Sequence, residues 1–220
     1  MEITWYGHSC FKLTERGLAT VVTDPYDHRQ VGYEPLKLKA DIVTVSHNTP
    51  GHNFISAVKG DAHVIDGPGE FEIGGVFITG IQTNGHVKKL DAELRNTLYL
   101  FDFNGINVLH LGDLDRIPNQ TEVEDFGPIH VALVPIGNAG GLNAIKATEI
   151  ISLLEPSIVI PMHYSTPATG NTAQKLDSID KFLKEMGLSN IEAVPSLKLP
   201  NASSLPEETK VVILDYQKNN

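Results

Sequence analysis

Three short apolar runs in this sequence each lead directly into a residue that can bind a metal ion. Residues 41–46 lead into His47, residues 107–112 into Asp113, and residues 157–162 into His163. Imidazole nitrogens and carboxylate oxygens are ligands of zinc and of other divalent cations. In layered α/β proteins, functional groups collect at the ends of buried strands. The pattern therefore predicts a cation site, made by two histidines and one aspartate, at one edge of a sheet.

A fourth candidate ligand lies in the loop after the first of these runs. His52 follows His47 at a spacing that does not place both side chains on one face of a helix. Pro50 and Gly51 between them also oppose helix formation. Shared metal binding by the two histidines must therefore come from the geometry of the loop, and the alternative is a pair of ordinary surface histidines.

The elements that must position these residues change in kind along the chain. Short β-branched and aromatic runs predict strands through the first half, and Asn104-Gly105 is typical of a two-residue hairpin turn. A polar loop is expected between Tyr26 and Lys39, and strands alternate with helices in the second half. This order predicts two sheets sandwiched between helices. The predicted strands are residues 3–6, 10–14, 20–23, 41–46, 63–65, 71–73, 76–81, 97–103, 106–111, 131–136, 157–162 and 211–214, and the predicted helices are residues 122–126, 143–154 and 172–186.

Composition narrows the class of protein. The chain has 27 acidic and 17 basic residues, a formal net charge of −10. This balance opposes binding to nucleic acid or to an anionic membrane, because both need clustered Lys and Arg. No apolar run approaches the roughly 18 residues that span a bilayer. Cys10 is the single cysteine, so no intrachain disulfide can form and a cytoplasmic location is expected. At this length we expect one domain over residues 1–220.

Five motifs carry a family resemblance that spans nearly the whole chain. They are Gly7-His8-Ser9-Cys10-Phe11, Asp24-Pro25-Tyr26, Gly67-Pro68-Gly69-Glu70-Phe71-Glu72, His110-Leu111-Gly112-Asp113-Leu114 and Ile160-Pro161-Met162-His163-Tyr164. Together they resemble the metallo-β-lactamase fold superfamily, and more closely the metal-dependent hydrolases related to ascorbate-6-phosphate lactonase. The resemblance implies an α/β fold, a four-layer αββα sandwich.

The resemblance also implies a set of metal ligands that this chain holds incompletely. The superfamily loop reads His-x-His-x-Asp-His, but here Thr49 replaces the second histidine and Gly51 replaces the aspartate. A threonine is a poor zinc ligand and glycine offers none, so a complete two-metal site is not expected. One Zn²⁺, Mn²⁺ or Fe²⁺ at a reduced site is the expectation, and loss of the metal is the alternative. The ligands that the resemblance implies are His47, His52, His86, Asp113 and His163.

The function implied is metal-dependent hydrolysis of a small ester, lactone or phosphorylated molecule, with Asp113 and His47 as catalytic residues. Asp113 would position or deprotonate the attacking water, and His47 would be a ligand or a general base. His8 would line the cleft or serve structure only, and Asp24 would orient His47 or His52 or cap a turn. The alternative function is a degenerate relative that binds a small ligand or a protein partner without turnover.

Overall fold

The chain forms two facing β-sheets in a computed structural model that describes residues 1–83, 95–137, 142–169 and 175–218. In the described residues, the first sheet has six strands in the order β14-β1-β2-β3-β5-β7. Strands β1, β2 and β3 are antiparallel neighbours, whereas β3, β5 and β7 run parallel. The strands are β1 Glu2–Gly7, β2 Cys10–Thr14, β3 Val21–Thr23, β5 Ile42–Thr44, β7 His63–Ile65 and β14 Leu197–Lys198.

The second sheet joins an antiparallel half to a parallel half. Its seven strands within the described ranges follow the order β15-β13-β12-β11-β10-β9-β8. Strands β8 to β11 pair antiparallel, and β11, β12, β13 and β15 pair parallel. The strands are β8 Gly69–Ile73, β9 Val76–Thr83, β10 Asn96–Phe103, β11 Ile106–His110, β12 Val131–Pro135, β13 Ile158–Met162 and β15 Lys210–Val211, and a separate small sheet pairs β4 Leu38–Lys39 with β6 Val58–Lys59.

Side-chain alternation explains how the first sheet is covered on both faces. Adjacent residues of a strand point to opposite faces, and Val21 and Val22 accordingly enter two separate hydrophobic clusters. Ile42 and Val43 of β5 divide in the same way. The cluster with Val21 and Ile42 fills the space between the sheets, and the other lies under the small sheet and helix α1, His28–Val31.

Helices α2 Gln120–Phe126, α3 Ala144–Leu154 and α4 Ile179–Glu185 lie beside the second sheet. Helix α3 buries Ala147, Ile150, Ile151 and Leu154, a spacing that makes one face of a helix apolar. These side chains join the same cluster as the β12 and β13 strands. The predicted αββα sandwich is confirmed. None of the helices in the described part of the chain has the length and apolarity needed to cross a bilayer.

The hairpin prediction is confirmed in detail. Asn104 and Gly105 have φ angles of 53° and 85°, as a two-residue turn with both central residues in the left-handed region requires. The turn sets the pairing of β10 with β11, beginning at Phe103 opposite Ile106. This register matters for function because it brings the start of β10 beside the end of β11.

Three predicted elements differ from the structure. The helix expected over residues 172–186 begins only at Ile179, because Asp177 bonds through its backbone to Ser165 and Gly137 and so holds the preceding segment extended. Residues 170–174 lie outside the described part. The loop expected before Lys39 contains α1, whose first turn is capped by Asp27. The last strand ends at Val211, three residues short of its predicted end at Leu214.

Candidate metal centre

The cluster lies where loops from both sheets meet. His47 follows β5 of the first sheet, whereas Asp113 and His163 follow β11 and β13 of the second. The expectation that one edge of a single sheet would carry all three is therefore wrong. Parallel strands of the two facing sheets end on the same side of the sandwich, and this common end brings their loops together.

Four of the predicted ligands are close to one another. Ligand atoms of His47, His52 and Asp113 all lie within 4.8 Å of each other. His163 Nδ1 lies 3.3 Å from Asp113 Oδ1, and His47 Nε2 lies 3.8 Å from Asp113 Oδ2. The predicted ligand His86 lies outside the described residues. These distances place three imidazole side chains and one carboxylate around one small volume.

A buried carboxylate orients His52. Asp24 Oδ2 lies 2.7 Å from His52 Nδ1, and Asp24 is fully buried. Burial would raise the pKa of Asp24, but the attraction of His52 and His110 and hydrogen bonds from His52 and Ser46 lower it overall. An ionised carboxylate only accepts hydrogen bonds, so His52 Nδ1 carries a proton and donates it to Asp24, which leaves Nε2 as the nitrogen available to a metal ion. Of the roles considered for Asp24, the structure shows that of orienting His52.

The same carboxylate fixes His47 through Ser46. The Ser46 hydroxyl donates to Asp24 Oδ2 at 2.6 Å and lies 3.1 Å from His47 Nδ1. Because a hydroxyl has one proton, His47 Nδ1 must donate to it. His47 Nε2 therefore carries a lone pair and accepts from the Thr49 hydroxyl, 2.9 Å away. Burial, then repulsion from His52, lowers the pKa of His47 to about 4, so this imidazole is neutral near pH 7.

Asn96 holds Asp113 in place, a role that the sequence gave no reason to expect. The Asp113 backbone N–H donates to Asn96 Oδ1 at 2.9 Å, and the Asn96 amide donates to the Leu111 carbonyl at 3.0 Å. Burial would raise the pKa of Asp113, but attraction to and a hydrogen bond with His163, then attraction to His52 and His47, hold it far below its usual range. Asp113 is thus anionic at neutral pH.

Gly112 allows Ser46 and Asn96 to pack closely against the turn that carries Asp113. Its φ is +59°, and an added Cβ would lie 2.5 Å from Ser46 Cβ and against Asn96 Oδ1. We expect Gly112→Ala to lower the free energy of unfolding in urea by about 1–3 kcal/mol, through backbone strain and this clash. Gly127→Ala is the matched control, because Gly127 has a φ of +62° with no atom within 4 Å of an added Cβ. Equal losses in the two variants would show that the clash is unimportant.

His8 joins the cluster more closely than its sequence context suggested. Its Nε2 lies 3.2 Å from His52 Nε2, and its ring centroid lies 3.9 Å from that of His163. Its carbonyl accepts the His163 N–H at 3.0 Å, which links the first turn of the chain to the loop after β13. Burial, then repulsion from His163 and His52, holds the pKa of His8 well below its usual value. His8 is therefore a neutral imidazole inside the cluster.

Unsatisfied ring nitrogens test whether a cation fits here. His8 Nδ1 and His163 Nε2 are buried without a hydrogen bond to any described residue, whereas His163 Nδ1 faces Asp113 Oδ1 at 3.3 Å. Both side chains are at most 2% exposed. A buried polar atom left unpaired costs about 1–3 kcal/mol, so such atoms call for an explanation. Imidazole nitrogens beside an anionic carboxylate are suitable ligands for a divalent cation, and the residues present fit one.

Backbone strain points to the same place. Six described residues other than glycine have a φ angle in the left-handed region, and three of them, His8, Asp24 and His163 with φ angles of 51°, 39° and 54°, lie in the cluster. Each such residue costs on the order of 1–3 kcal/mol, and strain of this kind collects at functional sites. Three loops of the cluster therefore hold their side chains in place at a cost in stability.

A polar cavity opens beside His47. Its volume is about 280 Å³. Ser46, Asn48, Asn53, Asp66, Gln82, Arg95 and Thr97 supply its polar lining, with Val45 and Ile55. A space of this size and polarity suits a small polar molecule next to the cluster.

This sandwich, with histidines and an aspartate at the strand ends, defines a metallo-β-lactamase type of protein, and comparison with known proteins agrees. The model of a beta-lactamase superfamily domain matches residues 2–163. A UPF0173 protein of Pyrococcus furiosus is 30% identical over 193 residues, which cover 76% of this chain and 84% of that one. The chain therefore belongs to the metallo-β-lactamase superfamily and to its UPF0173 family.

Two further relatives carry names that bear on function. A UPF0173 metal-dependent hydrolase of Thermococcus kodakarensis is 25% identical over 193 residues, covering 76% of this chain and 85% of its own. A solved structure from Thermotoga maritima, a candidate zinc-dependent hydrolase of the same superfamily, is 37% identical and superposes with a TM-score of 0.77. That match covers 97% of each chain. The names of these relatives describe metal-dependent hydrolases.

Proposed function

We propose that this protein is a metal-dependent hydrolase that uses one divalent cation, zinc, at the histidine and aspartate cluster. The observation that carries the proposal is the convergence of three imidazoles, those of His47, His52 and His163, around anionic Asp113. His163 Nε2 is in addition buried without a hydrogen bond to any described residue. The candidate ligands are His52, Asp113 and His163, and His47 serves as a ligand or as a general base. Imidazole nitrogens suit zinc or iron better than magnesium or calcium, which prefer oxygen ligands.

A bound cation would lower the pKa of a water molecule and polarise the scissile group. Asp113 is anionic and would position that water and accept its proton. His47, neutral with its lone pair on Nε2, lies 3.8 Å from Asp113 and borders the cavity, so it can take over the proton. Asp24 keeps His52 in the tautomer that offers Nε2. Both proton acceptors are therefore in their basic forms at neutral pH.

The cavity indicates the kind of substrate, a small ester, lactone or phosphorylated molecule. Arg95 brings a guanidinium to the cavity wall, where it lies 3.4 Å from the amide oxygen of Gln82. A guanidinium binds carboxylates and phosphates in two-pronged fashion. We therefore propose that the substrate carries a negative charge that Arg95 holds.

Removing the Arg95 charge should weaken substrate binding selectively. We expect Arg95→Gln to raise KM about 10-fold for anionic esters or phosphate esters, the loss expected for one charged hydrogen bond, and to leave KM for neutral esters unchanged. Steady-state kinetics on matched pairs of charged and neutral substrates measures this difference. Arg16→Gln on the exposed surface is the control. An equal rise in KM for both kinds of substrate would remove Arg95 from the recognition of charge.

Hydrolysis by the chelated and the remetallated protein tests the function itself. Aryl esters, lactones and phosphate esters are assayed before chelation, after it, and after return of Zn²⁺, Mn²⁺ or Fe²⁺. Activity that disappears with chelation and returns with one metal supports the proposal. Metal binding without hydrolysis of any of these substrates would favour the alternative, a relative that binds a ligand without turnover. The replacement of two superfamily ligands by Thr49 and Gly51 is the sequence evidence for that alternative.

A further inference from the structure

We propose that His8 is a metal ligand and that, with His52 and His163, it forms a buried three-histidine cation site in the space left open by Gly51. The proposal rests on the metal dependence proposed above and assigns the ion to a ligand set that the sequence did not suggest. Ligand atoms of these three histidines lie within 4.8 Å of one another, and all three side chains are buried.

The turn that carries His8 is held rigidly at the cluster. Strands β1 and β2 are joined through Gly7 and His8, and the register of their pairing shifts between Trp5 and Gly7. The His8 carbonyl accepts two hydrogen bonds at 3.0 Å, from Trp5 Nε1 and from the His163 backbone N–H. The left-handed φ of 51° at His8 is the cost of turning its ring inward.

Gly51 makes room for that ring. A Cβ added at Gly51 would lie 2.8 Å from His8 Nε2, closer than real Cβ atoms approach. Gly51 is absent from the described glycines with positive φ, so its backbone conformation does not demand glycine. The close approach of His8 is the reason that remains for glycine at this position. Any larger residue at position 51 would expel the imidazole from the cluster.

The geometry of the nitrogens suits a cation. The 3.2 Å between His8 Nε2 and His52 Nε2 is close to the edge of a tetrahedron with zinc–nitrogen bonds of about 2.0–2.1 Å, which is about 3.3 Å. His163 packs against the His8 ring, and its Nε2 is buried without a hydrogen bond to any described residue. Three protein ligands with one open position are the arrangement of catalytic zinc sites.

This assignment gives the two ligand sets different roles. His52 belongs to both sets, but Asp24 holds its Nδ1, so only Nε2 is available and it can bind one ion. A cation bound by His8, His52 and His163 leaves His47 and Asp113 beside the ion on the side of the cavity. These two residues then act on water and substrate rather than as ligands, which agrees with their proposed catalytic roles.

The competing explanation is that His8 only donates a hydrogen bond to His52. His8→Gln separates the two explanations, since glutamine keeps a donor and most of the volume but is a poor zinc ligand. We expect His8→Gln to lower the affinity for Zn²⁺ by about 100-fold or more, measured by chelator competition, and to change the visible absorption of the Co²⁺-substituted protein. His47→Gln should leave the Co²⁺ spectrum close to that of the unmodified protein.

A glycine pair provides a test that removes no ligand. Gly51→Ala should displace the His8 ring and weaken Zn²⁺ binding to a similar degree. Gly67→Ala should leave affinity unchanged, because an added Cβ there meets no atom within 4 Å.

The double variant His8→Ala/Gly51→Asp places a carboxylate in the vacated space and should recover affinity relative to His8→Ala. Thermal unfolding of the metal-free variants confirms that each is folded.

The outcomes distinguish this proposal from the proposed function. Unchanged Zn²⁺ affinity and Co²⁺ spectrum in both His8→Gln and Gly51→Ala, with loss in His163→Gln, would show that a metal binds without His8. That result overturns the three-histidine site and leaves the hydrolase intact. Failure of the unmodified protein to bind Zn²⁺, Mn²⁺, Fe²⁺ or Co²⁺ would overturn both proposals.

Discussion

Asp113→Asn is expected to lower kcat by about 10²–10⁴-fold, the range found when a general base is removed. The amide keeps the shape of the side chain, and the backbone bond to Asn96 does not involve the carboxylate. What changes is the negative charge, since the low pKa of Asp113 keeps it ionised at working pH. Single-turnover kinetics on the metal-loaded variant measures the chemical step separately from binding.

Metal content of the same variant separates the two roles of Asp113. If His8, His52 and His163 hold the ion, Asp113→Asn retains the metal while it loses activity. His63→Asn provides a control at an exposed histidine in β7. A kcat within a few-fold of the unmodified enzyme would contradict a role for Asp113 in the reaction.

Asp24→Asn is expected to weaken metal binding by about 10–100-fold although Asp24 lies in neither metal-ligand set. Asp24 accepts hydrogen bonds from the Ser46 backbone N–H at 2.7 Å and from His52 Nδ1, also at 2.7 Å. An amide nitrogen turned towards His52 would oppose the Nδ1 proton and favour the tautomer whose Nε2 has no lone pair. Chelator competition with Zn²⁺ measures the loss.

Ser46→Ala is the matched comparison for Asp24→Asn. It removes the hydroxyl that bonds both Asp24 and His47, but leaves the Asp24 carboxylate facing His52. We expect a smaller loss of affinity than in Asp24→Asn. If the two variants bind Zn²⁺ as tightly as the unmodified protein, Asp24 serves stability alone and does not orient the ligand.

The αββα sandwich could be predicted from the sequence because the signals for its strands and turns are local. Apolar alternation, the Asn104-Gly105 turn and the strand-to-loop transitions each depend on a few neighbouring residues, and the structure agrees with them. The start of α4 could not be predicted in this way. It is set by backbone bonds from Asp177 to Gly137 and Ser165, which are distant in sequence.

The residues of the candidate site also differ in whether local sequence could predict them. His47, Asp113 and His163 could be found because each follows a buried strand, and His52 because it lies in the loop after His47. The contact of His8 with His52 spans 44 residues, and the clamp of Asn96 on Asp113 spans 17. Gly51 looked like a lost ligand in the sequence, whereas in the structure its missing side chain is the space that His8 occupies.

Elemental analysis of the purified protein shows directly whether the histidine cluster binds a divalent cation. We expect about one transition-metal ion per chain, lost in His52→Gln and in His163→Gln and retained in His63→Gln. Two results would contradict metal binding by this cluster. One is an unmodified protein that stays free of metal after incubation with Zn²⁺, Mn²⁺ and Fe²⁺. The other is an equal metal content in all three variants.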